Sequence, residues 1–204
     1  SPLAQEFWLE GRSASCPIVD MHGHMGAMHS IYFPRPDAPD MVRTMDEAGV
    51  RMLVFSHHTA LFCPDLGNSG HGSAAIEAVR QFPDRLRAYC AVNPNYPEQF
   101  EAALPALDDL IPDVYVGLKF LPDYHRIALT DDRYRLAWEY ANEHELLVLT
   151  HTWGESKFDG PDVIREVAAR YPRVALLLGH SCHGEWDAAV QLARDFANIY
   201  LELT

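Results

Sequence analysis

The sequence predicts an α/β fold built on a parallel sheet. Three observations carry that reading: short apolar runs recur along the chain, amphipathic stretches separate them, and several runs are nearly continuous in Val, Leu and Ile. Continuous rather than alternating apolar runs belong to strands covered on both faces, as in sheets packed by helices.

The runs are Pro17–Asp20, Met52–Phe55, Leu86–Val92, Val114–Leu121, Leu146–Leu149, Val174–Leu178 and Ile199–Leu203. Helix signals lie between them. Gly49 stands where a C-terminal cap belongs after 41–48. Pro97 opens a segment whose apolar residues Phe100, Ala103, Leu104, Leu107, Leu110 and Ile111 share one face. Pro105 falls inside that segment and is expected to kink or split it. Thr130, followed by Asp131 and Asp132, reads as a helix start with acids at the positive end of the dipole. Trp186, Ala189, Val190, Ala193 and Ala197 form another stripe. The longest irregular stretch, His57–Gly72, is rich in Gly and Pro and reads as an active-site loop.

Seven strands joined by helical connections demand parallel pairing with right-handed crossovers. Periodicity allows two architectures: an open doubly wound sheet, or a (β/α)₈ barrel with strands 1–7 visible and the eighth missing. The 204 residues, 48% hydrophobic, suffice for one domain, read here as 1–204 with 1–17 as an N-terminal extension.

Composition excludes several functions. The net charge of −13 comes with no Lys/Arg cluster, which argues against nucleic acid and anionic membrane surfaces as partners. No apolar run approaches the roughly 20 residues of a membrane span, and the first seventeen residues do not read as a signal peptide. Cys16, Cys63, Cys90 and Cys182 are widely spaced and read as free thiols, which implies a reducing, cytoplasmic setting.

The chemistry lies in the histidines. Asp20-Met-His22-Gly-His24 closes the first strand, and residues two apart in a strand share a face. Two imidazoles on one face are able to grip a divalent cation, although hydrogen-bonded loop histidines are the alternative. His151 ends the fifth strand, His180 ends the sixth, and His57 and His58 follow the second. In a parallel barrel all these strand ends open onto one rim, where active sites sit. Together these strand-end histidines make a metal site the leading reading of the rim.

Asp-x-His-x-His, the strand-end His151 and His180, Gly117-Leu-Lys119-Phe-Leu-Pro122 and Leu178-Gly-His180-Ser181 together resemble the amidohydrolase-related superfamily. The resemblance runs from about Pro17 to Thr204 and favours the barrel. It implies His22, His24 and His151 as ligands of a divalent metal, zinc first and manganese or iron otherwise. It places His180 beside the metal as a polarising or proton-transfer residue. Lys119 matches a position that some members carbamylate to bridge two metals; the reading adopted here is one metal and an unmodified Lys119 that holds a substrate carboxylate. The family's aspartate after strand eight has no counterpart before Thr204, so the chain reads as a fragment of a longer protein. Glu202 is considered as a substitute ligand and set aside, because it reads as part of a strand.

The function implied is metal-dependent hydrolysis of an amide or lactone in a small carboxylate-bearing substrate. The alternatives are a decarboxylase or hydratase on the same scaffold, and an inactive or sensory barrel. Weaker candidates are Asp20 as a support for a ligand histidine, Cys182 with His183 as a second cluster, and Tyr124, His125 and Trp153 as pocket lining. A homo-oligomer suits barrels of this kind, but no interface is legible.

Overall fold

The computed structural model describes residues 1–28, 31–63 and 73–203. Seven strands form one parallel sheet in sequential order: β1 (Ile18–Met25), β2 (Val50–His57), β3 (Leu86–Val92), β4 (Tyr115–Phe120), β5 (Leu147–Trp153), β6 (Ala175–His183) and β7 (Ile199–Leu201). The sheet curls into a partial TIM-like barrel, with β1 and β7 at its two edges. The open doubly wound alternative is thereby set aside, since that class reverses strand order part-way across the sheet. Each expected apolar run contributes a strand, and β1, β2, β5 and β6 extend several residues further. Those extensions carry the histidines.

The helices are α1 (Pro2–Glu10), which buries no residue, and α2 (Ala38–Ala48), α3 (His58–Phe62), α4 (Ala74–Gln81), α5 (Pro97–Leu110), α6 (Pro122–His125), α7 (Arg135–Glu143), α8 (Pro161–Arg170) and α9 (Trp186–Asp195), each of which buries part of its surface. Asp37 caps α2 by accepting from Asp40 N, and Gly49 ends it in the left-handed conformation at φ 72°. Three expectations are corrected. Pro105 does not split α5, which runs unbroken for 14 residues with Pro105 on its exposed face. The cap expected at Thr130 belongs to Asp131, whose side chain accepts from Arg133 N and starts a 3-10 turn (Asp132–Tyr134) leading into α7. The aspartate's ionised carboxylate is a stronger acceptor than a threonine hydroxyl. The loop expected over His57–Gly72 begins instead as α3, and 64–72 lie outside the described residues.

The main core fills the space between sheet and helices. Trp138, fully buried, stacks on Tyr171 at 5.4 Å and donates from its indole to the Leu129 carbonyl at 2.8 Å. A smaller apolar cluster, Val54, Tyr89, Leu149 and Leu177, packs inside the curl of the sheet. Tyr89 also donates its hydroxyl to the Met21 carbonyl at 2.8 Å, so a buried phenol braces β1 from β3. This layer plugs the barrel beneath the histidine rim.

Close strand approach sets one glycine. A Cβ at Gly117 on β4 would collide with the backbone carbonyl of Leu147 on β5. Gly117→Ala is therefore expected to cost about 1–3 kcal/mol, read as a melting point several degrees below wild type; an unchanged melting temperature would contradict this packing.

Candidate active site at the strand ends

Four strands deliver the central side chains. His22 and His24 come from β1, Lys119 from β4, His151 from β5 and His180 from β6. The imidazoles cluster: ring centroids are 5.3 Å apart for His22–His24, 5.3 Å for His22–His180 and 5.0 Å for His151–His180. A kink in pairing between Asp20 and Gly23 re-aims the end of β1. Asp20 accepts from the His22 backbone N–H at 2.9 Å, so it steadies the main chain there rather than an imidazole ring.

Two carboxylates that the sequence reading did not use organise this cluster. His22 Nδ1 donates to Glu202 Oε2 at 2.8 Å, and the His180 backbone N–H donates to the same oxygen at 3.2 Å. Glu202 follows β7 directly, so it stands at the rim and not inside the strand where the sequence appeared to place it. His151 Nδ1 donates to Asp159 Oδ2 at 3.2 Å, with Asp159 wholly buried. Each carboxylate occupies Nδ1 and leaves Nε2 as the basic nitrogen. Lys119 Nζ donates to His22 Nε2 at 3.2 Å.

The backbone that carries His180 is unusual. His180, Ser181 and Cys182 have φ of 65°, 46° and 52°, a left-handed run without glycine. Such a turn costs on the order of 1 kcal/mol per residue, and side chains hold it. Ser181 Oγ donates to the Glu202 carbonyl at 2.6 Å and accepts from Glu202 N at 3.1 Å. Cys182 N donates to Thr152 Oγ1 at 2.8 Å, which donates in turn to the Gly179 carbonyl at 2.7 Å.

Burial sets the charge states. It pushes His22 down to about 4, with the nearby Lys119 charge adding to the effect against the opposing pull of Glu202. Burial and Lys119 push His24 down to about 2. Lys119, 1% exposed, is lowered to about 7 by desolvation, with Glu202 opposing. Both histidines are thus neutral at ordinary pH, the form that ligates metals.

The remaining candidates divide. His58 stacks on His24 at 5.0 Å and donates from Nδ1 to the Gly26 carbonyl at 2.6 Å. His57 lines a separate cavity of about 320 Å³ with Gly26, Pro36 and Glu77. Tyr124 and Trp153 line a cavity of about 410 Å³ with Asp123, Arg126 and His151. His125 does not line it; it is buried and donates from Nε2 to the Leu61 carbonyl at 2.7 Å. Cys182 is buried and its thiol is pushed up to about 11, while His183 packs on Trp153 at 4.2 Å.

The amidohydrolase family model matches residues 19–204. The chain belongs to the amidohydrolase family. Solved structures agree on the fold. An uncharacterised TIM-barrel protein from Bordetella bronchiseptica aligns with TM-score 0.66 at 14% identity, covering 91% of this chain and 74% of that one. A protein assigned as a 2-pyrone-4,6-dicarboxylic acid hydrolase from Pseudomonas putida aligns with TM-score 0.63 at 15% identity, covering 92% and 68%. A 5-carboxyvanillate decarboxylase from Sphingomonas paucimobilis aligns with TM-score 0.59 at 15% identity, covering 93% and 77%. The chain thus spans about two thirds to three quarters of their length. No curated protein matches its sequence.

Amidohydrolase membership implies a divalent metal, and the donor chemistry here fits one: neutral His22 and His24, with carboxylates on the Nδ1 of His22 and His151. Among the described residues, no three His, Cys, Asp or Glu side chains are arranged to hold an ion as they stand. His22 Nε2 itself is met by the Lys119 amine.

The charge states give a pH dependence for the metal-free protein. The folded values of His22 and His24, about 4 and about 2, lie below the 6.5 of an unfolded histidine. The unfolded chain therefore protonates first, and stability is lost as pH falls from 6.5 towards 4 and below. For Lys119, about 7 folded against 10.5 unfolded, stability rises with pH between those values. Denaturant titrations should show both slopes; Lys119→Met should abolish the upper one and also shallow the lower one, because the Lys119 charge helps depress both histidines. An upper slope that persists in Lys119→Met would contradict the buried-lysine assignment.

Proposed function

We propose that this chain carries the centre of a metal-dependent hydrolase acting on an amide or lactone of a small carboxylate-bearing substrate. The observation that supports this most is the imidazole cluster with basic Nε2 faces, fixed from behind by Glu202 and Asp159. His22, His24 and His151 would hold one divalent ion, zinc first and manganese or iron otherwise. When bound, such an ion supplies Lewis acidity and lowers the pKa of water from about 15.7 towards 7.

The residues of the chain have distinct tasks in this reading. Glu202 and Asp159 fix the orientation and tautomer of His22 and His151. Lys119, released from His22 Nε2, places a positive charge at the base of the site. His180, held by its left-handed turn, polarises the substrate carbonyl or moves a proton to the leaving group. The apolar layer of Val54, Tyr89, Leu149 and Leu177 closes the floor against water.

A decarboxylase on the same scaffold is the competing outcome, and the fold is shared with proteins named for either reaction. Product analysis separates them: carbon dioxide released from a candidate acid would replace the hydrolase reading.

Elemental analysis of protein purified without added metal should find about one divalent ion per chain, lost in His22→Ala. Glu202→Gln should retain the site but bind zinc about 10- to 100-fold more weakly, the range for groups supporting a ligand histidine. Wild-type zinc content in His22→Ala would overturn the assignment.

A further inference from the structure

Ser56 lies fully buried on β2. Its Oγ is 3.1 Å from Nδ1 of His24, the residue it faces directly in the β1–β2 register. The three candidate ligands are therefore backed unequally. His22 and His151 each meet a carboxylate through Nδ1, whereas His24 meets a neutral hydroxyl. The difference lies in where the ring hydrogen goes. An ionised carboxylate only accepts, so it keeps the hydrogen on Nδ1 and the lone pair on Nε2. A serine hydroxyl both donates and accepts, so it suits either tautomer.

Burial breaks that tie. Among the described residues the Ser56 side chain has no hydrogen-bond partner other than His24. If Ser56 accepted from Nδ1–H, its own hydrogen would be shut in without an acceptor. If Ser56 donates to Nδ1, its hydrogen is paired, and the single hydrogen of the neutral imidazole sits on Nε2. Buried donors go unpaired more rarely than buried acceptors keep a spare lone pair. The Nε2–H has an outlet as well: His24 is half-buried, and its Nε2 is not among the buried polar atoms left unpaired. The plane of the ring is fixed separately, by stacking on His58 at 5.0 Å and 11°. Ser56 is thus left to govern the hydrogen rather than the plane.

We propose that Ser56 is a positioning residue that holds His24 in its Nε2–H tautomer in the metal-free chain and reverses this hydrogen bond when a metal binds. The exchange balances. His24 gives up the hydrogen on Nε2, takes one on Nδ1 and stays neutral, while the Ser56 hydroxyl rotates from donor to acceptor. His24 is then the hardest of the three ligands to recruit, and the ion is held less tightly than three carboxylate-backed imidazoles would hold it. The metal-bound half of the inference rests on the hydrolase reading; the metal-free half does not.

The test is nitrogen NMR of the histidine rings in the full-length chain, first metal-free and then with added zinc. In metal-free wild type, His24 should show a protonated Nε2 and a hydrogen-bonded, unprotonated Nδ1, whereas His22 and His151 show the reverse. Zinc should switch His24 alone. Ser56→Ala should move the metal-free His24 Nδ1 resonance to the position of an unbonded nitrogen, and Ser56→Thr should restore it, which a role confined to packing would not do. Ser56→Asp, whose carboxylate only accepts, should place the hydrogen on Nδ1 without metal and bind zinc about tenfold more tightly. A protonated Nδ1 on His24 in metal-free wild type, a His24 spectrum unchanged by Ser56→Ala, or zinc bound at His22 and His151 with no switch at His24 would overturn the proposal. Zinc that leaves all three rings unchanged would overturn the metal reading, while the metal-free spectrum of His24 still decides the role of Ser56.

Discussion

The hydrogen bond between His22 and Glu202 is the interaction on which the site depends. It joins the end of the first strand to the residue following the seventh, the two edges of the curled sheet. One carboxylate oxygen meets both the His22 ring and the His180 backbone, while the Glu202 main chain bonds Ser181 in both directions. One residue therefore orients one imidazole and, with Thr152, holds the left-handed turn that aims another. A negative charge here also faces Lys119, which lies buried on the opposite side of His22.

That arrangement has an energetic cost. A buried lysine and several neutral imidazoles in the mouth of a barrel bring no hydrophobic gain, and each requires a partner. The structure offsets this by separating duties. The core between sheet and helices, with the apolar plug inside the curl, carries stability. The rim carries polar groups and a turn of three left-handed residues that only surrounding bonds maintain. Strain gathered at one rim, over a rigid layer, suits a site that must hold geometry rather than adapt.

The strands were legible because their signal is local: residues buried on both faces spell continuous apolar runs, and β3 matches its run residue for residue. The histidines were legible because they cap those runs. The supporting carboxylates were harder to see. Asp159 lies eight residues beyond His151 in a loop with no periodic signature. Glu202 sits in an apolar run whose end cannot be placed to one residue, and one position decides whether it points along the strand or onto the rim. The signal that would have found it is an acid at a strand end, facing the same rim as the histidines. Pro105 failed as a helix breaker because its side of α5 faces solvent. His125 failed as pocket lining because α6 turns it inward to Leu61 while leaving Tyr124 and Arg126 at the cavity.

The central claim is that these imidazoles form one metal centre backed by Glu202. Anomalous diffraction at the zinc edge from zinc-soaked crystals tests it most directly. The account predicts a single strong peak about 2.0–2.1 Å from nitrogens of His22, His24 and His151, with the Glu202 carboxylate still on His22 Nδ1. A peak elsewhere, for instance beside His57 and Glu77, or none at the rim, would contradict it.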